Sequence, residues 1–245
     1  DSNVVINVTS GDTTEGTLNV NSLTFNSGNW NFGQTVTVTG VDDAVYDKNQ
    51  TFNITLSVDA ASSDDNFDAL ADKTVSTTTI DNETAPTTSL SASASPIAEN
   101  GGTSTLTATL THATFEDVTV NLGFTGTATG PGTDYTTAGS ATSITISAGN
   151  TTGTLVVTSI QDNTYEGGSD ESIVVDIASV SGGEATENGT QQQSIVITEA
   201  DARPTITSAT YDLNSSVLTL TGTDFRAQAG TVNDVIATSL TITGQ

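Results

Sequence analysis

The chain has 245 residues and carries 29 acidic side chains against 4 basic ones, for a formal charge of −25. Such a surface rejects nucleic acid and anionic membranes and favours cations, and no apolar run reaches the roughly 18 residues of a membrane span, so membrane insertion is not expected. Cysteine is absent, which removes disulfides and thiolate metal sites, and the single histidine, His112, leaves a Ser or Thr nucleophile no second imidazole to draw on.

In chain order, Val4, Val5, Ile6 and Val8 open a strand directly, followed by Asp12. Ser22-Leu23-Thr24-Phe25 reads as another strand and leads to Asn29-Trp30-Asn31, where a lone Trp in a β-protein reads as core or a strand-end plug. Val36, Val38 and Val41 then run into the acidic loop Asp42-Asp43-Ala44-Val45-Tyr46-Asp47, and Phe52, Ile54, Leu56 and Val58 alternate with polar residues, the period-2 mark of a half-buried strand. Asp81-Asn82-Glu83-Thr84-Ala85-Pro86 closes this unit, with Pro ending a strand and starting a linker.

A second copy follows. It opens with a strand near residues 89–95 and an acidic turn at Glu99, continues through the alternating Val118, Val120, Leu122 and Phe124, and reaches Leu155, Val157 and Ile160. These lead into Gln161, Asp162, Asn163, Thr164, Tyr165 and Glu166, then the strand Ile173, Val175, Ile177 and a closing Glu199-Ala200-Asp201-Ala202-Arg203-Pro204. Val36 and Leu155 stand 119 residues apart, and the layouts that follow them run in register. In both copies the apolar spacing slips from two to three before the acidic loop, which reads as a bulge or strand end that sets the loop at a sheet margin.

The predicted architecture is all-β. Residues 1–85 form a divergent sandwich lacking its first strand, 86–203 form a complete sandwich, and 204–245, with Leu218, Leu220 and the run 239–243, form the start of a further β domain or strands for exchange. No segment carries a sustained helical period.

The acidic residues gather at strand-to-loop junctions, and like charges held together repel unless something offsets them. Calcium does so: it takes six to eight oxygen ligands and tolerates irregular loops. The loops 42–47 and 162–171 offer carboxylates at alternate positions with a carbonyl between them.

Pro96-Ile97-Ala98-Glu99-Asn100-Gly101-Gly102, Gly132-Thr133-Asp134-Tyr135, Ile144-Thr145-Ile146-Ser147-Ala148-Gly149 and the 162–171 loop, taken in that order, resemble the Calx-β repeats of sodium/calcium exchangers, integrin β4 and large bacterial adhesins. The resemblance covers residues 88–201. It implies a seven-strand immunoglobulin-like sandwich with calcium held by loops at one end, beside the next domain. Carried over by position, the ligands in the second repeat are Glu99, Asp134, Asp162, the Thr164 carbonyl, Glu166, Glu171, Glu199 and Asp201; in the first they are Asp42, Asp43, the Val45 carbonyl, Asp47, Asp81, Glu83 and Asp12. Gln161 and Gln50 stand where the family carries acids, so each removes a charged ligand.

The function expected from this reading is not enzymatic: a calcium-binding, calcium-stiffened extender segment of an extracellular bacterial adhesin or surface protein. Its partners would be calcium, neighbouring repeats of the same or an identical chain, and a cell-surface glycan or protein receptor. The alternative is a subunit of an extracellular filament or sheath assembled by β-strand exchange.

Overall fold

Alternating β-branched and polar residues set strands along the chain. The computed structural model describes residues 3–161 and 170–224, and among these the helical segments are two three-residue 3-10 turns, Asp65–Phe67 and Ala138–Ser140. No helix among them is long and apolar enough to cross a membrane.

The first repeat contains β1 (Val4–Ser10), β2 (Gly16–Leu18), β3 (Ser22–Phe25), β4 (Val38–Gly40), β5 (Val45–Tyr46), β6 (Gln50–Val58) and β7 (Lys73–Thr79). A four-stranded antiparallel sheet runs β3-β1-β6-β7, and β2-β4 form a separate two-stranded ladder. Between them lies a small core of Val8, Phe52 and Ile54, with Leu18, Leu23 and Val36 half-buried against it. Gly16 is required there, because a Cβ would enter the Phe52 ring.

The second repeat adds β8 (Thr87–Ala92), β9 (Ile97–Ala98), β10 (Thr103–Leu110), β11 (Ala113–Thr114), β12 (Val118–Gly126), β13 (Tyr135–Thr137), β14 (Ser143–Ile146), β15 (Thr152–Ser159), β16 (Glu171–Ser181), β17 (Thr186–Glu187) and β18 (Gln192–Thr198). Two five-stranded sheets, β13-β15-β10-β8-β17 and β14-β12-β16-β18-β9, face each other. Leu106, Val118, Val120, Ile146, Val157, Ile173, Val175 and Ile195 are fully buried between them. Tyr135 stacks on Phe124 with ring centroids 6.1 Å apart and belongs to this core. The opening strand changes sheets: β8 pairs with β10, then β9 crosses to lie parallel to β18.

The sheet orders identify the equivalent strands. The set β3-β1-β6-β7 matches β14-β12-β16-β18, and β2-β4 matches β13-β15. Among the described residues the first repeat shows no counterpart of β8 or β10. Trp30, expected to be core or a plug, lies in the turn between β3 and β4 and is 71% exposed. In the second repeat the corresponding turn is covered, since Gly149 N–H donates to the Thr114 carbonyl at 2.8 Å and Ala148 N–H to Asp117 Oδ1 at 2.8 Å. The first repeat's described residues include no such cover.

The repeats meet through β5 and β11, which pair in parallel (Val45 with Ala113, Tyr46 with Thr114). Beside this bridge Tyr46 Oη donates to Glu184 Oε2 at 2.5 Å, and Lys48 Nζ pairs with Glu184 Oε1 at 2.5 Å. Beyond β18 the chain forms a hairpin of β19 (Thr205–Asp212) and β20 (Val217–Thr223).

Candidate metal centre

In the second repeat, the parallel ladder that sets Ile97 beside Ile197 and Ala98 beside Thr198 carries Glu99 to Glu199 and Asp201. One carboxylate oxygen from each of these three residues lies within 4.8 Å of the others. Glu99 and Asp201 are buried and Glu199 half-buried. Glu99 Oε2 accepts from the Ala200 N–H at 2.9 Å, Glu199 Oε1 from the Asp201 N–H at 2.8 Å, and Asp201 Oδ1 from Gln161 Nε2 at 3.2 Å. The turn that presents Glu99 closes with Gly102 N–H donating to the Ala98 carbonyl at 2.9 Å, and Ser159 Oγ donates to that same oxygen at 2.6 Å.

Among the described residues, the other expected ligands of this repeat are Asp134 and Glu171. Asp134 is buried just before β13; its Oδ2 accepts from the Thr129 N–H and its carbonyl accepts from the Ile160 N–H at 2.8 Å. Glu171 begins β16, half-buried and opposite Ile197. Asp162, Thr164 and Glu166 lie outside the described residues.

In the first repeat a cleft of about 490 Å³ is lined by six carboxylates, those of Glu15, Asp42, Asp43, Asp47, Asp81 and Glu83. Val45 lines it as well, while its backbone enters the bridge to β11. Asp81 is the anchor: Oδ2 accepts from the N–H groups of Asp47 (3.1 Å) and Lys48 (2.7 Å), and Oδ1 from that of Glu83 (2.8 Å). Asp43 Oδ1 accepts from the Val45 N–H at 2.7 Å. Gln50 Nε2 donates to the Asp47 carbonyl at 2.6 Å, bracing the loop from its far side.

Asp12 does not line this cleft. Its Oδ1 accepts from the Thr14 N–H (2.9 Å) and the Thr14 hydroxyl (2.5 Å), closing its own exposed turn. The residue that takes the place expected for Asp12 is Glu15, which the sequence reading missed. The signal was present: Glu15 precedes β2 as Asp134 precedes β13, and the two positions are 119 residues apart, the offset that aligns the acidic loops. The backbone repeats too, since the Val41 N–H donates to the Glu15 carbonyl at 3.0 Å as Ile160 does to Asp134.

Residues 3–84 and 81–201 each match the Calx-beta domain. The chain belongs to the Calx-beta family. The crystal structure of CBD12 from CALX1.2 is similar to it at 13% sequence identity with a TM-score of 0.37, over 81% of this chain and 88% of that one. No curated protein matches.

Calx-beta domains are non-catalytic, calcium-binding modules, and the donor set at Glu99, Glu199 and Asp201 fits that cation. It is all oxygen, converges on one point and is screened from water on two of its three members, which suits a hard divalent ion. Gln161 enters this Calx-beta site as a neutral amide donating to Asp201, so it orients a carboxylate and adds no charge. Alanine at Gly102 would drive its Cβ into the Ala98 carbonyl. Gly102→Ala is therefore expected to destabilise the second Calx-beta repeat by about 1–3 kcal/mol and to weaken calcium binding by displacing Glu99. Calorimetry beside a thermal melt reads both.

The first Calx-beta cleft is electrostatically loaded. Burial, and then the charges of Asp47, Asp12, Asp43 and Asp81, push the Glu15 carboxyl above the usual range. Burial, with Asp43 and Asp81, does the same to Asp47, and burial with Asp81 and Asp42 does so to Glu83. Burial also acts upward on Asp81, but the N–H groups of Glu83, Lys48 and Asp47 hold it below the usual range.

A carboxyl raised in the folded state binds more protons there than in the unfolded chain, so its destabilising effect is full above its folded pKa and fades as pH falls toward the unfolded value. Asp81 contributes in the opposite sense, losing stability as pH falls. With calcium chelated, the three raised carboxyls should make the first repeat melt higher as pH drops from neutral into the window just above ordinary carboxylate titration. Glu15→Gln should flatten that rise; a melting temperature that falls steadily through the window contradicts it.

Proposed function

We propose that this chain is a calcium-binding, calcium-stiffened extender segment of an extracellular bacterial adhesin or surface protein, located at the cell surface. The observation that carries the reading is the convergence of Glu99, Glu199 and Asp201, drawn from opposite ends of the second repeat's sequence, on one point at the start of the segment leading to β19. A cation there ties Glu199 and Asp201, which lie on the exit path, to the Glu99 turn of the sandwich. The first repeat supports the same arrangement, since Asp42, Asp43 and Asp47 sit on the loop whose β5 is bridged to the second repeat. An ion in either place acts on a joint. Tandem β-sandwiches, the absence of cysteine and a highly acidic surface suit an extended protein in a calcium-rich exterior.

The ligand assignments are part of this proposal: Glu99, Glu199 and Asp201 with Asp134, Asp162, the Thr164 carbonyl, Glu166 and Glu171 in the second repeat, and Asp42, Asp43, the Val45 carbonyl, Asp47, Asp81 and Glu83 in the first, with Glu15 in place of Asp12. So is the division of the chain at residues 85 and 203. Extracellular calcium modules bind with dissociation constants of about 0.1–1 mM, and an ion present at tenfold its dissociation constant stabilises by roughly 1.4 kcal/mol per site. Melting and small-angle scattering with and without excess chelator test the proposal. Calcium should raise the unfolding temperature and narrow the distribution of end-to-end distances; unchanged curves in both experiments overturn it.

A further inference from the structure

The ladder that joins the repeats is only Val45 and Tyr46 against Ala113 and Thr114. One attachment so short leaves the two sandwiches free to turn about it, so whatever fixes their angle must lie off its axis. A second contact does lie there. Glu184, in the turn between β16 and β17, accepts from the Tyr46 hydroxyl on Oε2 and pairs with the Lys48 ammonium on Oε1, both at 2.5 Å.

Both sides of this contact use backbone that ordinary side chains avoid. Glu184 has a φ of 52° and follows Gly182 at 90° and Gly183 at 55°, a run of left-handed residues. The second repeat builds this turn onto the segment that carries the ladder. Gly183 N–H donates to Glu116 Oε2 at 3.3 Å, and a Cβ on Gly182 would strike the Asp117 carbonyl, one on Gly183 the Thr114 side chain.

Across the joint Lys48 has a φ of 69°. A glycine would hold that backbone without strain, and at the repeat offset the sequence carries Gly167, while Tyr165 repeats Tyr46. The first repeat keeps a lysine instead. Lys48 lines the acidic cleft, where its N–H donates to Asp81 Oδ2, yet its ammonium reaches out to the second repeat. Strain retained at such a contact points to a use for the side chain.

An exposed ion pair by itself contributes little. Here the carboxylate is held ready by its turn and takes two charge-assisted bonds at once. Lys48, and then Tyr46, hold the Glu184 carboxyl below the usual range, so it is ionised at neutral pH.

We propose that Glu184, Tyr46 and Lys48 form a latch that fixes the angle between the two repeats with no metal bound. The proposal rests on the reading of the chain as an extender, and it assigns the set of this joint to three side chains before any ion arrives. Calcium then stiffens the chain mainly at the exit past Glu199 and Asp201.

Pulsed EPR on the full chain tests the latch, because the protein has no cysteine of its own to compete for spin labels. The labels go to Ser76→Cys on β7 and Thr154→Cys on β15, both exposed positions. In excess chelator the labelled chain should give one narrow distance peak. Adding Glu184→Ala should abolish it, and so should Lys48→Gly, which removes the ammonium while relieving the backbone and so leaves the first repeat folded. A broad distribution in chelator with the latch intact, or a peak that stays narrow in either variant, overturns the proposal. Calorimetric titration of calcium into the same samples keeps the two readings apart. If no calcium binds and the peak behaves as expected, the calcium reading fails and the latch stands; if calcium binds and the peak narrows only then, the latch fails and the calcium reading stands.

Discussion

Glu99→Gln is expected to have opposite effects with and without calcium. At an effective dielectric of about 20, two like charges at the 4.8 Å limit of the Glu99, Glu199 and Asp201 group repel by on the order of 3 kcal/mol. Neutralising Glu99 relieves two such pairs, and the amide oxygen of Gln can still accept the Ala200 N–H that Glu99 Oε2 now holds. In excess chelator the variant should therefore melt higher than the unaltered protein. With calcium the same change removes one of three charges from the ion's shell, and affinity should fall at least roughly tenfold, about 1.4 kcal/mol. The melting curves of the two proteins should cross as calcium is titrated in. If Glu99→Gln melts lower under both conditions, the carboxylate is structural and the calcium assignment at this point is wrong.

Leu106→Ala should produce the largest loss of stability. Leu106 is fully buried on β10, between the two five-stranded sheets of the second repeat. Truncation there removes buried surface and leaves a cavity with little room to relax, at a cost of about 3–5 kcal/mol. At roughly 4 °C per kcal/mol for a domain of this size, the second repeat's transition should drop by more than about 10 °C. Val8→Ala, in the three-residue core of the first repeat, should shift only a separate and earlier transition, and by less. Calorimetry resolves the two, and a single transition that moves as a whole in both variants would show that the repeats unfold as one unit.

Much of the second repeat was legible in the sequence because its strands alternate cleanly and each inner residue meets another. The pairing of Glu99 with Glu199 and Asp201 came only through the family resemblance. Nothing local foretells that a chain crossing sheets after Ala92 will lay Ile97 beside Ile197. The first repeat was harder to read. Glu15 was overlooked because Asp12 begins the more acidic-looking turn, although the repeat offset marked Glu15 directly. Trp30 was misjudged because a large aromatic is expected in the core, whereas this one falls in the turn between β3 and β4 and stays exposed. Gln50 and Gln161 looked like missing ligands, and the structure shows what each amide does, bracing Asp47 in one case and orienting Asp201 in the other.

The exposure of Trp30 also gives the protein an optical label. It is the only tryptophan in the chain and it stands in water in the folded state, so its emission begins near the red limit and changes little when the first repeat unfolds. Fluorescence melts would then under-report that transition, and circular dichroism is the better probe.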